Sequence, residues 1–183
     1  MSRRTRRRFL GVASAASVAA LAGCGGVLSE NDDPDAEADF SLPSAEPEVE
    51  VGMGGRNVFD PKIVRVEVGG TVTWVNESGN HSATAYHPDN DRTLRIPEDA
   101  EPWDSSVLVD RDATFEHTFE EPGVYDYYCT PHETLAMVGT VVVGDPDPDP
   151  DDQPGLRPPG EDFSGGTADE LESLNEKVES GLA

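Results

Sequence analysis

Cys129, His132 and Met137 set a thiol, an imidazole and a thioether in the order Cys-x2-His-x4-Met. All three are soft or borderline donors, and together they select copper rather than Mg, Ca or Mn. Val124–Cys129 before the motif and Val138–Val143 after it read as strands, so Cys129 closes one strand and Met137 opens the next. The loop that carries the donors is thereby held at both ends. A fourth donor has to come from elsewhere in the chain. His81 is the upstream candidate, because it follows the turn residues Glu77-Ser78-Gly79-Asn80 and opens a strand of its own. Two imidazoles and a thiolate in a plane, with a distant axial thioether, form the donor set of a blue-copper electron-transfer site.

The remaining candidates read as structural. His87 lies six residues after His81, and a continuous strand would separate the two by roughly 20 Å, so both cannot bind one ion. His87 is read as an exposed residue introducing Pro88. His117 alternates with Phe115 and Phe119 and is expected to fill a sheet position, while Met53 between Gly52 and Gly54 is expected to pack. Tyr125, Tyr127 and Tyr128 read as sheet core and sheet face. The chain has two cysteines, Cys24 and Cys129, and if Cys24 is modified, Cys129 lacks a disulfide partner. A metal accounts for such a thiol.

The elements that must position these residues are strands. Glu48–Met53, Lys62–Val68, Thr71–Val75, His81–Tyr86, Ala113–Phe119, Val124–Cys129 and Val138–Val143 alternate or are rich in β-formers, and Gly69-Gly70 is expected to turn a hairpin between the second and third. Seven or eight short strands in residues 48–144 predict an all-β sandwich. Pro88–Leu108 has no clean period and is read as a long excursion packed by Trp103.

Composition divides the rest of the chain. Thr5-Arg6-Arg7-Arg8-Phe9-Leu10 is a twin-arginine pattern, and the small, apolar run Gly11–Ala22 is too short for a membrane span. Residues 1–23 are therefore read as an export signal. Leu21-Ala22-Gly23-Cys24 resembles a lipobox, which makes Cys24 a lipidation site; a plain signal peptide with an incidental cysteine is the simpler alternative. Residues 24–47 hold seven acids and no base and are expected to form a disordered tether. Residues 145–183 open with three Asp-Pro pairs and are expected to be a disordered, Pro-rich acidic tail. Within it Leu171, Leu174, Val178 and Leu182 recur at helical spacing, so a short docking helix over 168–182 is the alternative.

The 183 residues carry 37 Asp+Glu against 13 Lys+Arg, a net charge of −24. This excludes a polyanion partner, since binding nucleic acid needs clustered bases that displace its counterions. Five of the arginines precede Cys24, so the chain beyond the signal is more acidic still. The acids spread over tether, domain and tail, and Lys62 and Lys177 are the sole lysines. Such a surface is expected of a protein working in high salt, where screening relieves self-repulsion.

Gly123-Val124-Tyr125-Asp126-Tyr127-Tyr128-Cys129-Thr130-Pro131-His132 with Met137-Val138-Gly139 resembles the last strands and ligand loop of the cupredoxins, in the plastocyanin, pseudoazurin and halocyanin group. Phe59-Asp60-Pro61, Gly69-Gly70-Thr71-Val72-Thr73-Trp74 and Ile96-Pro97-Glu98-Asp99-Ala100-Glu101 extend the resemblance over residues 48–144. The resemblance implies a Greek-key sandwich holding one type 1 copper ion, with His81, Cys129 and His132 as equatorial ligands and Met137 as the axial one. It implies that His132, framed by Pro131, Leu135 and Ala136, passes electrons to a docked partner. One position departs from the family. The residue after the first ligand His is commonly Asn, and here Ser82 either ties the two ligand loops through hydroxyl hydrogen bonds with Thr130 or leaves the tie weaker.

With the signal and the lipobox, the resemblance is to a lipid-anchored haloarchaeal lipoprotein. The implied function is one-electron transfer between membrane-bound respiratory partners at the outer face of the cytoplasmic membrane, by a monomer that is not an enzyme. An extracytoplasmic copper-delivery protein is the alternative, although such carriers favour Met- or His-rich runs and this chain has three Met and four His.

Overall fold

The structure is a computed structural model that describes residues 40–183. The twin-arginine segment, Cys24 and most of the acidic tether lie outside the described residues. Seven strands form one mixed sheet: β1 (Glu46–Gly54), β2 (Val58–Asp60), β3 (Ile63–Asn76), β4 (Thr84–Ala85), β5 (Thr114–Phe119), β6 (Gly123–Tyr128) and β7 (Val138–Val143). One helix follows, α1 (Gly165–Leu182).

β3 joins the two halves of the sheet. Its first residues pair in parallel with β7, Ile63 to Thr140 and Val66 to Val143, while its later residues pair with β1 and, antiparallel, with β5. β6 continues from β7, and β4 closes that side. Val51, Trp74 and Phe119 from one half meet Tyr125, Tyr127, Val141 and Val143 from the other in a single core. Trp103, from the excursion, stacks on Trp74 with ring centroids 5.8 Å apart, as its expected packing role requires. The all-β class and the sandwich core agree with the sequence reading.

Local details differ from it. The runs on either side of Gly69-Gly70 are not two separate strands of a hairpin. They form one strand, β3, whose register against β1 slips at the glycines, from Glu46 opposite Val66 to Glu48 opposite Thr71. The strand expected at His81–Tyr86 shortens to Thr84–Ala85, because His81 and Thr84 form single bridges to Leu108 and Asp104 of the excursion instead of a continuous ladder. The acidic tether does not extend to Pro47 as a disordered segment: β1 begins at Glu46, and Phe40 and Leu42 pack against the second apolar cluster.

The largest correction concerns the tail, which is ordered. Every residue of β6 and β7 is buried, which requires cover on both faces of these strands. One face points into the core, and the other places Val124, Tyr128, Val138 and Val142 in a cluster with Leu156, Leu171, Leu174 and Val178 of the tail. A helix of this length is marginal alone, but each buried Leu or Val contributes about 1.5–3 kcal/mol, so docking stabilises it. Its bounds, Gly165–Leu182, exceed the 168–182 expected from spacing. Ahead of it, a 3-10 turn at Pro154–Leu156 lies so close to β6 that a Cβ on Gly155 would stand 2.7 Å from the Val124 carbonyl oxygen.

A buried arginine fastens the tail. Arg95 pairs its Nε with Asp126 Oδ2 at 2.8 Å, where neither side chain is appreciably exposed, and donates to the carbonyls of Gly155 and Arg157 and to Asn175 Oδ1. Burial pushes the Asp126 carboxyl up, while the Arg95 guanidinium and the Thr140 hydroxyl pull it down. Arg95→Ala removes the partner of a buried carboxylate and orphans three tail acceptors. Urea unfolding at constant salt should show a loss of about 3–5 kcal/mol; a loss below about 1 kcal/mol would contradict this role for Arg95.

Candidate metal centre

Three side chains from two segments of the chain converge beyond the end of β6. Cys129 follows β6 directly, and its N–H donates to the Met137 carbonyl at 3.0 Å, closing the loop at its base. Between them Thr130–Leu135 forms a 3-10 helix, begun by Pro131 near its first position and ended by Ala136 at φ 61. The Cys129 Sγ atom lies 3.4 Å from His132 Nδ1 and 3.6 Å from His81 Nδ1. The two imidazole rings are tilted, with centroids 4.8 Å apart.

His81 is positioned by the turn that precedes it. Asn76, at the end of β3, is fully buried, and its Nδ2 shares its two protons among the carbonyls of Gly79, Leu108 and Asp110, tying the turn to the excursion. Gly79 adopts φ 89, and a Cβ there would stand 3.1 Å from His81 Nε2, so a side chain would crowd the ring. His81 then exchanges backbone hydrogen bonds with Leu108.

Ser82 joins the two ligand segments. Its N–H points at Cys129 Sγ at 3.4 Å, its Oγ accepts from the Thr130 N–H at 2.8 Å, and its hydroxyl donates to Thr130 Oγ1 at 3.0 Å. Of the two outcomes the sequence leaves open at this position, the hydroxyl tie is the one formed. Thr84 extends the network to Asp104.

The electrostatics suit a metal that binds neutral imidazole and thiolate. Burial lowers the His81 pKa, the neighbouring His132 lowers it further, and the Ser78 carbonyl opposes both, so His81 is a neutral donor at pH 7. Burial pushes the Cys129 thiol up, against the N–H groups of Ser82 and His132, so without metal it keeps its proton. Metal binding would displace that proton. The three donor atoms lie within 4.8 Å of one another. Bonds of about 2.0–2.3 Å to one ion at 110–120° would place S and N roughly 3.5–3.7 Å apart, close to the two distances found. The two sulfur–nitrogen separations therefore fit one ion bound by soft donors.

Of the residues singled out in the sequence, His81, Cys129 and His132 come together, and Met137 is fully buried at the closure of the same loop. His87 is elsewhere: its Nδ1 accepts from the Asp89 N–H and caps the 3-10 turn Pro88–Asn90. His117 stacks on Trp103 at 4.7 Å, and burial lowers its pKa, as its structural reading requires. Sequence reasoning missed Asn76, Arg92 and Thr167. Asn76, as a polar residue closing an apolar strand, carries the sole sequence signal among the three.

A small β sandwich that gathers a buried thiol and two imidazoles around one point beyond its last hairpin defines a mononuclear soft-metal protein of the blue-copper type. Comparison with known proteins specifies it. Residues 45–144 match the family described as copper binding proteins, plastocyanin/azurin family. The chain is 32% identical over 168 residues to halocyanin of Natronomonas pharaonis, covering 76% of this chain and 97% of that one. It is 34% identical over 94 residues to pseudoazurin of Paracoccus pantotrophus, covering 51% and 58%. The crystal structure of native pseudoazurin from Hyphomicrobium denitrificans superposes with TM-score 0.54 at 26% identity, covering 72% of this chain and 98% of that one. The chain belongs to the plastocyanin/azurin family of copper-binding electron carriers, is halocyanin-like within it, and has copper as its cofactor.

Ser82→Ala removes the acceptor of the Thr130 N–H. Denaturation of the metal-free protein should show a loss of about 1–2 kcal/mol, with Ser82→Asn retaining more of the stability. Equal stability of Ser82→Ala and the parent would mean that the tie contributes nothing.

Proposed function

We propose that the protein is a one-electron carrier whose copper would be held by His81, Cys129, His132 and Met137. The observation that carries this reading is the convergence of Cys129 Sγ and one ring nitrogen each of His81 and His132 within 4.8 Å of one another. Copper in such a set supplies a one-electron couple that needs little rearrangement between its two oxidation states. The chain's own residues do the rest. The fully buried β6 and β7 hold Cys129 and Met137 at fixed ends, the Asn76 turn orients His81, and the Ser82–Thr130 tie keeps the two ligand segments in register. His132 is half-buried, and with Pro131 and His81 it lines a shallow surface depression, so its ring edge is the accessible side of the centre. Leu135, which is exposed, supplies an apolar contact beside it for a transient redox partner.

The chain is further read as a monomer exported by the twin-arginine route and lipid-anchored through Cys24 at the outer face of the cytoplasmic membrane. There it would shuttle electrons between membrane-bound respiratory proteins rather than act as an enzyme. In support, Thr5–Leu10 and Leu21–Cys24 have the required patterns. Tethering would raise the local concentration of carrier at its partners.

Adding Cu(II) to the full chain should produce an intense blue colour and a reversible one-electron wave, and Cys129→Ser should abolish the colour. A colourless complex without a reversible wave, or colour that survives Cys129→Ser, would remove the carrier reading. Transfer of the copper to an apo-acceptor in its place would favour delivery.

The surplus of acids motivates a second test, since 37 Asp+Glu face 13 Lys+Arg and unscreened like charges loosen a fold. Circular dichroism should report loss of structure on transfer from molar to millimolar salt. Unchanged spectra after desalting would contradict adaptation to high salt.

A further inference from the structure

The 3-10 loop that carries His132 meets the C-terminal helix at a polar contact. Thr167, in the first turn of α1 and buried, donates its hydroxyl proton to the Glu133 carbonyl at 2.7 Å. That commits the proton, so Ser164 Oγ, 2.8 Å from Thr167 Oγ1, must be the donor of that second bond. The same Glu133 carbonyl accepts from the Ala136 N–H at 2.8 Å, so two donors converge on it. The Glu133 side chain is held independently: its carboxylate takes Nε and Nη2 of Arg92 at 2.9–3.2 Å. Arg92 in turn lies 5.0 Å over the Tyr128 ring, one residue before Cys129. The residue after His132 is thus held at its backbone by the tail and at its side chain by the excursion.

We infer that Thr167 is a positioning residue for the metal centre, pinning the Glu133 carbonyl so that the loop holds His132 at a fixed distance from Cys129 Sγ. This rests on reading His132 as a ligand. At its start the 3-10 helix has no capping hydrogen bond from the Cys129 side chain, and the Thr130 N–H is held from outside by Ser82 Oγ. Short 3-10 segments have poorer hydrogen-bond geometry than α-helices, so an external contact has a larger share in fixing the loop. The tail then acts on the centre as well as covering the sheet. Its helix limits how far the imidazole moves when the charge on the ion changes.

The test uses the full chain as Thr167→Val, which keeps the shape and removes the hydroxyl, and as Thr167→Ser, which keeps the hydroxyl. Hydrogen exchange on the metal-free protein reads the loop without copper. In Thr167→Val the amides of Ala136 and Met137 should exchange about fivefold faster, the effect of losing one ordinary hydrogen bond, with β6 and β7 unchanged. In the copper-loaded protein the electron paramagnetic resonance spectrum and the reduction potential should shift, and Thr167→Ser should restore them. Unchanged loop exchange would overturn the inference. So would faster exchange throughout β6 and β7, which marks general loosening, or a looser loop with unaltered copper signals. His132→Ala separates the two readings: copper signals that survive it would refute the ligand assignment, whatever Thr167→Val does.

Discussion

Burying a thiol between two imidazoles is tolerable only if the groups around the sulfur stay where they are, and β6 is the constraint that makes this so. Each of its six residues is buried, with Tyr125 and Tyr127 facing the core and Val124, Asp126 and Tyr128 facing the tail. A strand packed on both faces cannot shift its register by one residue without exchanging those two sets of side chains. Cys129 inherits that immobility, and the Ser82 N–H, the loop and the His81 turn are all placed relative to it. On the function proposed above, the packing of the strand would limit rearrangement between oxidation states as much as the donors themselves would.

The tail is part of the same constraint. Without α1 and the turn at Pro154–Leu156, one face of β6 and β7 would expose Val124, Tyr128, Val138 and Val142. Arg95 connects the two regions by neutralising Asp126 inside β6 while holding tail carbonyls. The acidic character of the tail therefore belongs to its exposed side, while its buried side combines the apolar Leu156, Leu171, Leu174 and Val178 with the polar Thr167 and Asn175. Lys62 adds an ion pair to Glu170 at 2.6 Å on the rim, where such pairs stabilise by about 1 kcal/mol or less.

The ligand loop is legible in the sequence because its signal is local: three soft donors at fixed spacing between two β-forming runs. His81 is legible because turn residues precede it and because one ion cannot also reach His87. The tail is harder. Its Asp-Pro opening looks like a linker, and helical spacing at Leu171, Leu174 and Val178 is too weak to decide docking when the helix is judged alone. The deciding signal lies elsewhere, in Val138–Val143 and Gly123–Tyr128, which carry large apolar residues on both faces and demand a second cover. Asn76 and the Thr167–Glu133–Arg92 contacts depend on pairs 34 and 41 residues apart or on a turn folding back, and no local spacing announces them.

A one-electron carrier of this kind needs its copper in a donor set that barely changes with oxidation state. X-ray absorption on the copper-loaded chain, oxidised and then reduced, tests it most directly. One short sulfur and two imidazole nitrogens at about 2.0–2.3 Å are expected in both states, with shifts of about 0.1 Å or less between them. A shell of oxygen and nitrogen without sulfur, or loss of an imidazole on reduction at neutral pH, would contradict it.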